Sequence, residues 1–241
     1  MKILGLDSSG IVASVAVVED EILTAEYTVN YKKTHSQTLL PMLDEVAKMT
    51  ELDLDTVDAI AVAGGPGSFT GLRIGSATAK GLGLALKKPL ISVPTVEALA
   101  YNLYDTQGLI CPIMDARRNQ VYTGIYRFKD HRLQTVEDQM AVPIEELLAK
   151  LEEYGEQVTF LGDGVPVFRK LIQEKLQAAF SFAPAHVNRQ RAAAVASLGL
   201  VYYEEGKYGT AEEHVPDYLR VSQAERERAE REKAKDQEAA Q

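Results

Sequence analysis

Apolar runs at the start of the chain predict three antiparallel strands. Residues 3–6 and 13–18 are rich in aliphatic and β-branched side chains, and the polar stretch DSSG at 7–10 separates them. Its glycine can take the positive φ that a hairpin turn requires. Residues 22–29 then alternate between two faces. We therefore expect a hairpin with a carboxylate at its bend, followed by a third strand.

Helix and strand patterns alternate from there to residue 103. Thr34 or Ser36 can cap a first helix, and Pro41 falls in its first turns, where a missing N–H matters least. The run VDAIAVA is typical of a strand buried on both faces, and it ends in the turn GGPG. In order, a helix, a strand, a helix, a strand and a helix are expected at 36–49, 57–63, 68–86, 90–93 and 96–103.

The second half of the chain repeats this order with shorter elements. A strand at 109–114 ends in Asp115 as the first strand ends in Asp7, and 158–161 leads to Gly162 as 57–63 leads to Gly64. These pairs are 108 and 98 residues apart (115 − 7 and 162 − 64). The repeat predicts an α/β fold with a duplicated βββαβα unit. The expected parts are subdomains at 1–104 and 105–220 and a charged tail, helical or disordered, at 221–241.

Composition narrows the class of protein. The chain has 241 residues, 46% of them hydrophobic, and a net charge of −9. Its apolar stretches are too short for a membrane span. The single cysteine, Cys111, cannot form an internal disulfide, which favours a reducing cytoplasm. Because phosphate contacts come from Lys and Arg, the negative charge also predicts that this chain alone binds nucleic acid poorly.

The segment GGPGSFTGLRIGSATAKGLG at 64–83 carries a stripe of small residues at every fourth position. On a helix this stripe lets another backbone approach closely. It packs either inside the chain or against another subunit, and both alternatives stay open. A phosphate loop is disfavoured because the Lys-Ser/Thr pair is absent. The expected partner surface, on this helix and the preceding one, comprises Leu39, Leu43, Val46, Gly71, Leu72, Gly75, Ala79, Leu82 and Gly83.

The two aspartates at the strand ends also allow two interpretations. Asp7, Ser8 and Ser9 can present hydroxyl and N–H groups to a phosphate, while Asp7 and Asp115 hold Mg²⁺ across a cleft. Alternatively, each aspartate simply accepts turn hydrogen bonds. The four histidines lack metal-ligand spacing, and His35 is expected near a helix start. No catalytic residues are predicted.

Six segments, in this order, carry a family resemblance: ILGLDSSGIVASVAV, THSQTLLP, AVAGGPGSFTGLRIGSATAKGLG, PIMDARRNQVYTGIY, FLGDG and PDYLR. Together they resemble the TsaB family, formerly called YeaZ. That family belongs to the superfamily of actin, heat-shock chaperones and sugar kinases. The resemblance therefore implies two actin-like (RNase H-like) subdomains.

The related TsaD family transfers a threonylcarbamoyl group to N6 of the adenosine beside the tRNA anticodon. Its members carry two metal-binding histidines four residues apart, whereas here His35 is followed by Leu39. The resemblance thus implies a non-catalytic scaffold or activator without a metal or a required cofactor, although weak nucleotide binding stays open. The implied partners are TsaD and TsaE, a second copy when the chain is alone, and tRNA only through the complex. The alternative is a small actin-like ATP-dependent enzyme, a kinase or glycoprotease-like hydrolase, that uses Asp7 and Asp115.

Overall fold

Two five-stranded sheets form the framework of the computed structural model, which describes residues 1–219. The charged tail predicted at 221–241 lies outside the described residues. The first sheet has the order β3-β2-β1-β4-β5. Its strands are β1 (Lys2–Asp7), β2 (Val12–Glu19), β3 (Ile22–Asn30), β4 (Ala59–Gly65) and β5 (Leu90–Pro94). β1 is antiparallel to β2 and parallel to β4, as the predicted hairpin and buried strand require.

Three helices accompany this sheet: α1 (His35–Thr50), α2 (Phe69–Leu86) and α3 (Thr95–Tyr101). The apolar face of α1 is buried in the core between the helix and the sheet. The Ser68 hydroxyl caps α2 by accepting a hydrogen bond from the Gly71 N–H at 3.3 Å. Lys87, in the left-handed region with φ of 55°, ends that helix.

The second sheet repeats the first, with the order β10-β9-β6-β7-β8. It contains β6 (Leu109–Asp115), β7 (Gln120–Lys129), β8 (Arg132–Pro143), β9 (Val158–Leu161) and β10 (Phe180–Phe182), together with α4 (Ile144–Tyr154) and α5 (Val165–Lys175). The predicted fold class is confirmed. Each half is a βββαβαβ unit, because β5 and β10 extend the expected repeat by one strand.

A last helix, α6 (Ala192–Glu204), returns to the first sheet. It lies directly on β1 and β4: a methyl group at Gly5 would overlap the Ala192 carbonyl oxygen, and one at Gly199 would lie 2.7 Å from the Ala61 Cβ. A division near residue 104 separates the two sheets, but residues 192–204 pack on the first one. The boundary near residue 104 therefore divides the two sheets, but a helix from the second part of the chain belongs to the core of the first sheet.

Residues 207–218 pass along the β5 edge of the first sheet, and we call them the C-terminal strap. Gly209 and Leu90 exchange two backbone hydrogen bonds of 2.9 Å, which pairs the strap with β5. A strand edge covered in this way is protected from pairing with other chains. Within residues 1–219, no helix has the length and apolar character needed to cross a bilayer.

Candidate functional site

The Asp7 carboxylate is buried at the bend between β1 and β2. Its Oδ1 accepts hydrogen bonds from the Ser9 N–H at 2.9 Å and from the Ser9 hydroxyl at 2.7 Å. Burial raises the pKa of the Asp7 carboxyl to about 6, while the Ser9 hydrogen bonds and the nearby His35 oppose part of that rise. The side chain thus accepts turn hydrogen bonds, which is the simpler of the two interpretations of this residue.

The start of α2 closes over this hairpin. The Ser68 N–H donates to the Ser9 carbonyl at 2.7 Å, and the Ser8 hydroxyl donates to the Gly71 carbonyl at 2.9 Å. A methyl group at Gly71 would overlap the Ser8 carbonyl oxygen, and one at Gly75 would lie 2.6 Å from the Ser8 Oγ. The small-residue stripe therefore makes its close approach inside the chain at these positions. Asp7, Ser8 and Ser9 are each no more than 2% exposed.

The predicted interface residues belong mostly to the chain's own core. Of the nine, only Leu82 is partly exposed, and it too packs against the core. The buried members are Leu39, Leu43, Val46, Gly71, Leu72, Gly75, Ala79 and Gly83. This corrects the placement of the partner surface on the two helices, because helical spacing identifies a stripe but not the neighbour that it meets. Whether the opposite, exposed sides of α1 and α2 bind a partner stays a prediction.

Asp115, at the end of β6, resembles Asp7 in its bonding. Its Oδ1 accepts from the Arg117 N–H at 2.8 Å, and its Oδ2 lies 3.3 Å from the exposed Arg117 guanidinium. The neighbouring Asp163 accepts from the Asp115 N–H at 3.3 Å, and burial raises the pKa of the Asp163 carboxyl. Both halves of the repeat therefore place an aspartate in a turn. Nucleotide binding between the two stays a prediction.

His35, the first residue of α1, bonds within the same region. Its Nε2 lies 2.8 Å from the Gly10 carbonyl oxygen, which fixes the ring beside the hairpin. Nowhere in residues 1–219 do three His, Cys, Asp or Glu side chains gather as metal ligands would.

The buried Asp7 carboxyl gives a pH-dependent prediction. Its pKa is raised from 3.8 to about 6 on folding, so the stability that it contributes is complete below pH 3.8 and is lost as the pH rises through 6. Asp7→Asn keeps an Oδ1 for both Ser9 hydrogen bonds. Relative to the wild type, the variant should gain about 2 kcal/mol in free energy of unfolding between pH 4.5 and 7.5.

Urea unfolding followed by circular dichroism at the two pH values measures this change. Asp130→Asn, at an exposed turn, is the control and should show no such gain. Equal pH dependence in Asp7→Asn and the wild type would contradict a raised pKa at Asp7.

Two features of α2 were not predicted from the sequence. The first is an exposed side formed by Arg73, Ala77, Gly81 and Leu84, where Leu84 is 50% exposed. A methyl group at Gly81 would have no atom within 4 Å. A glycine inside a helix costs about 0.5 to 1 kcal/mol relative to alanine. Unlike Gly71 and Gly75, Gly81 has no packing reason within the described residues.

The second feature is the contact of the C-terminal strap with α2. The Lys80 ammonium donates to the carbonyl oxygens of Glu212 and His214 at 3.0 and 3.1 Å. A methyl group at Gly83 would lie 3.0 Å from the Ala211 Cβ. The strap therefore runs along one flank of α2 and borders its exposed side. The PDYLR segment was the available sign in the sequence that this part of the chain matters. Only the tertiary structure shows that the strap lies against α2.

Comparison with known proteins gives consistent matches over most of the chain. The family model described as TsaD, tRNA N6-adenosine threonylcarbamoyltransferase, matches residues 23–228. The tRNA threonylcarbamoyladenosine biosynthesis protein TsaB of Bacillus subtilis is 35% identical over 93% of this chain and 96% of its own length. The protein of the same name from Escherichia coli is 29% identical over 91% of this chain and 95% of its own length.

A solved structure supports the same assignment. YeaZ from Pseudomonas aeruginosa superposes with a TM-score of 0.76 at 25% identity, covering 90% of this chain and 99% of that one. The sequence relatives and the solved structure thus match the same chain over about nine-tenths of its length. The chain therefore belongs to the TsaB family, within the wider family that the TsaD model describes.

Proposed function

We propose that this chain is a non-catalytic subunit of the cytoplasmic machinery that makes threonylcarbamoyladenosine in tRNA. Its partner is TsaD, with TsaE joining the pair, and tRNA reaches the chain only through the complex. The names of its relatives support the pathway. The observation that carries the subunit role is Gly81, a glycine on the exposed side of α2 whose added methyl group would meet nothing within 4 Å. Such a position is useful when a second helix packs closely there.

The proposed surface combines the exposed sides of α1 and α2. Leu84, one turn from Gly81 on α2, is 50% exposed, and Leu40 of α1 is 52% exposed. Apolar side chains beside a small residue suit a partner helix that approaches below the usual 8 to 10 Å between axes. The same surface serves a second copy of the chain when TsaD is absent, so the two assemblies compete.

The absence of catalysis by this chain is the second part of the proposal. Both Ser9 donor groups bond to Asp7 within the hairpin, and the Ser8 hydroxyl donates to the Gly71 carbonyl of α2, which packs over them. Asp7 is 1% exposed, so a nucleotide phosphate reaches it only if α2 moves. His35, the one histidine matching the metal ligands of TsaD-like proteins, is oriented by the Gly10 carbonyl.

Reconstitution with purified TsaD, TsaE and tRNA tests this proposal. Omitting the chain should abolish threonylcarbamoyl transfer, whereas Asp7→Asn should support transfer within about twofold of the wild type, because the side chain is structural. ATP hydrolysis by the chain alone is measured in parallel. Transfer that proceeds without the chain would contradict the subunit role. Hydrolysis that Asp7→Asn eliminates would instead favour an actin-like ATP-dependent enzyme.

A further inference from the structure

An aromatic and cationic stack lies at the amino end of α2. The Arg73 guanidinium carbon is 4.0 Å from the centre of the Phe69 ring. The Tyr218 ring packs on Phe69 with a centroid distance of 4.9 Å and a tilt of 41°. Arg73 is exposed, and across residues 1–219 no carboxylate forms an ion pair with it. The stack therefore presents an oriented cation whose charge has no partner in the described chain.

The C-terminal strap anchors this stack through Asp217, the neighbour of Tyr218. The Asp217 N–H donates to the Gly64 carbonyl at 2.7 Å, and the Asp217 carboxylate accepts from Gln139 of β8 at 2.6 Å. A methyl group at Gly65, where φ is +122°, would overlap the Asp217 carbonyl oxygen. Tyr218 is thus fixed against both the β4–α2 turn and the second sheet. Because Tyr218 packs on Phe69, it also fixes the Phe69 ring on which the Arg73 guanidinium stacks.

An arginine held on an aromatic ring is well suited to bind a carboxylate. Its planar guanidinium offers paired donors, and prior stacking leaves less side-chain entropy to lose on binding. Arginine and aromatic residues are also enriched among the contacts that dominate protein interfaces. Arg73 stands four residues before Ala77 and eight before Gly81, so all three share the exposed side of α2.

We infer that Arg73 binds a carboxylate on the partner chain whose helix packs at Gly81. This inference rests on the proposed function and adds the chemistry of the partner: a helix that carries an acidic side chain about two turns from its closest approach to α2. The C-terminal strap acts as a positioning element, because Tyr218 orients Phe69 under the guanidinium. The strap thereby forms part of the interface without supplying its charge.

Titration of TsaD with the intact chain in a calorimeter measures the effect. Arg73→Glu should weaken association about 100-fold, since it places two like charges together. Arg73→Lys should weaken it about tenfold, because the compact ammonium keeps the charge but loses the paired donors and the planar stack. Arg132→Glu, an exposed arginine at the start of β8, is the matched control and should change affinity less than twofold.

The positioning role of Tyr218 is tested by a double-mutant cycle. Tyr218→Leu should weaken association about fivefold in the wild type and have no further effect when residue 73 is already alanine. Additive effects of Tyr218→Leu and Arg73→Ala would show that Tyr218 does not act through Arg73 and would overturn that part. Thermal unfolding of each variant confirms that the compared proteins are folded.

The outcomes separate this inference from the function on which it rests. If Arg73→Glu leaves association unchanged while a bulky residue at position 81 disrupts it, the partner surface stands and the role of Arg73 is wrong. If Arg73→Glu disrupts only self-association, the carboxylate belongs to a second copy and the inference fails as stated. If neither position matters, α2 is not the partner surface.

Discussion

Gly71→Ala should lower the free energy of unfolding by about 3 kcal/mol or more, although alanine is the better helix former. The added methyl group would overlap the Ser8 carbonyl oxygen, which is backbone and cannot rotate away. Relief requires α2 to move off the hairpin. That movement would also break the hydrogen bond from the Ser8 hydroxyl to the Gly71 carbonyl. Urea or thermal unfolding of the isolated chain measures the loss.

Gly81→Ala is the matched control on the same helix. Its methyl group meets open space, so the variant should gain about 0.5 to 1 kcal/mol in free energy of unfolding from helix propensity. Opposite signs for two identical substitutions, ten residues apart (81 − 71), would separate packing from propensity. A small gain at both positions would mean that the stripe does not meet the hairpin.

The repeated architecture was predictable because its signals are local. Asp7 and Asp115 each end a strand, and Gly64 and Gly162 each begin a turn before a helix. Corresponding elements of the two halves therefore end in the same residue types. Burial on both faces also made β4 recognisable as a continuous apolar run. These features require no knowledge of distant contacts.

The unpredicted elements include β8, α4 and α6, and the patterns of β8 and α6 are weak or misleading. β8 is an edge strand of 12 residues with mixed polar and apolar positions and little alternation. α6 has small and apolar residues on nearly every side because it packs on the first sheet and borders α3. α4, by contrast, is clearly amphipathic, so its pattern would have allowed a prediction.

The candidate site was only half predictable for a different reason. A carboxylate at the hairpin bend follows from the sequence, but its burial depends on α2, which begins 62 residues later (69 − 7). The same separation in sequence explains why the neighbour of the small-residue stripe was not predicted. Spacing showed that a close approach occurs, whereas only the tertiary structure shows that Ser8 and Ser9 are what Gly67 and Gly71 approach.

Gly81→Leu should weaken association with TsaD about 100-fold while leaving the isolated chain folded. The structure has room for the side chain in the free protein, since a methyl group at this position meets nothing within 4 Å. In the complex, the leucine would occupy the space into which the partner helix packs, and separating two closely packed helices removes many contacts together. Calorimetric titration and thermal unfolding measure the two effects separately.

A control substitution distinguishes a local clash from a general effect of an added apolar side chain. Gln173→Leu places the same residue on the exposed side of α5, away from α2, and should leave affinity within twofold of the wild type. Size-exclusion chromatography of Gly81→Leu without TsaD should show a monomer, because self-association is proposed to use the same surface. Unchanged affinity for TsaD in a folded Gly81→Leu would place the interface elsewhere, and the open space at Gly81 would then need another explanation.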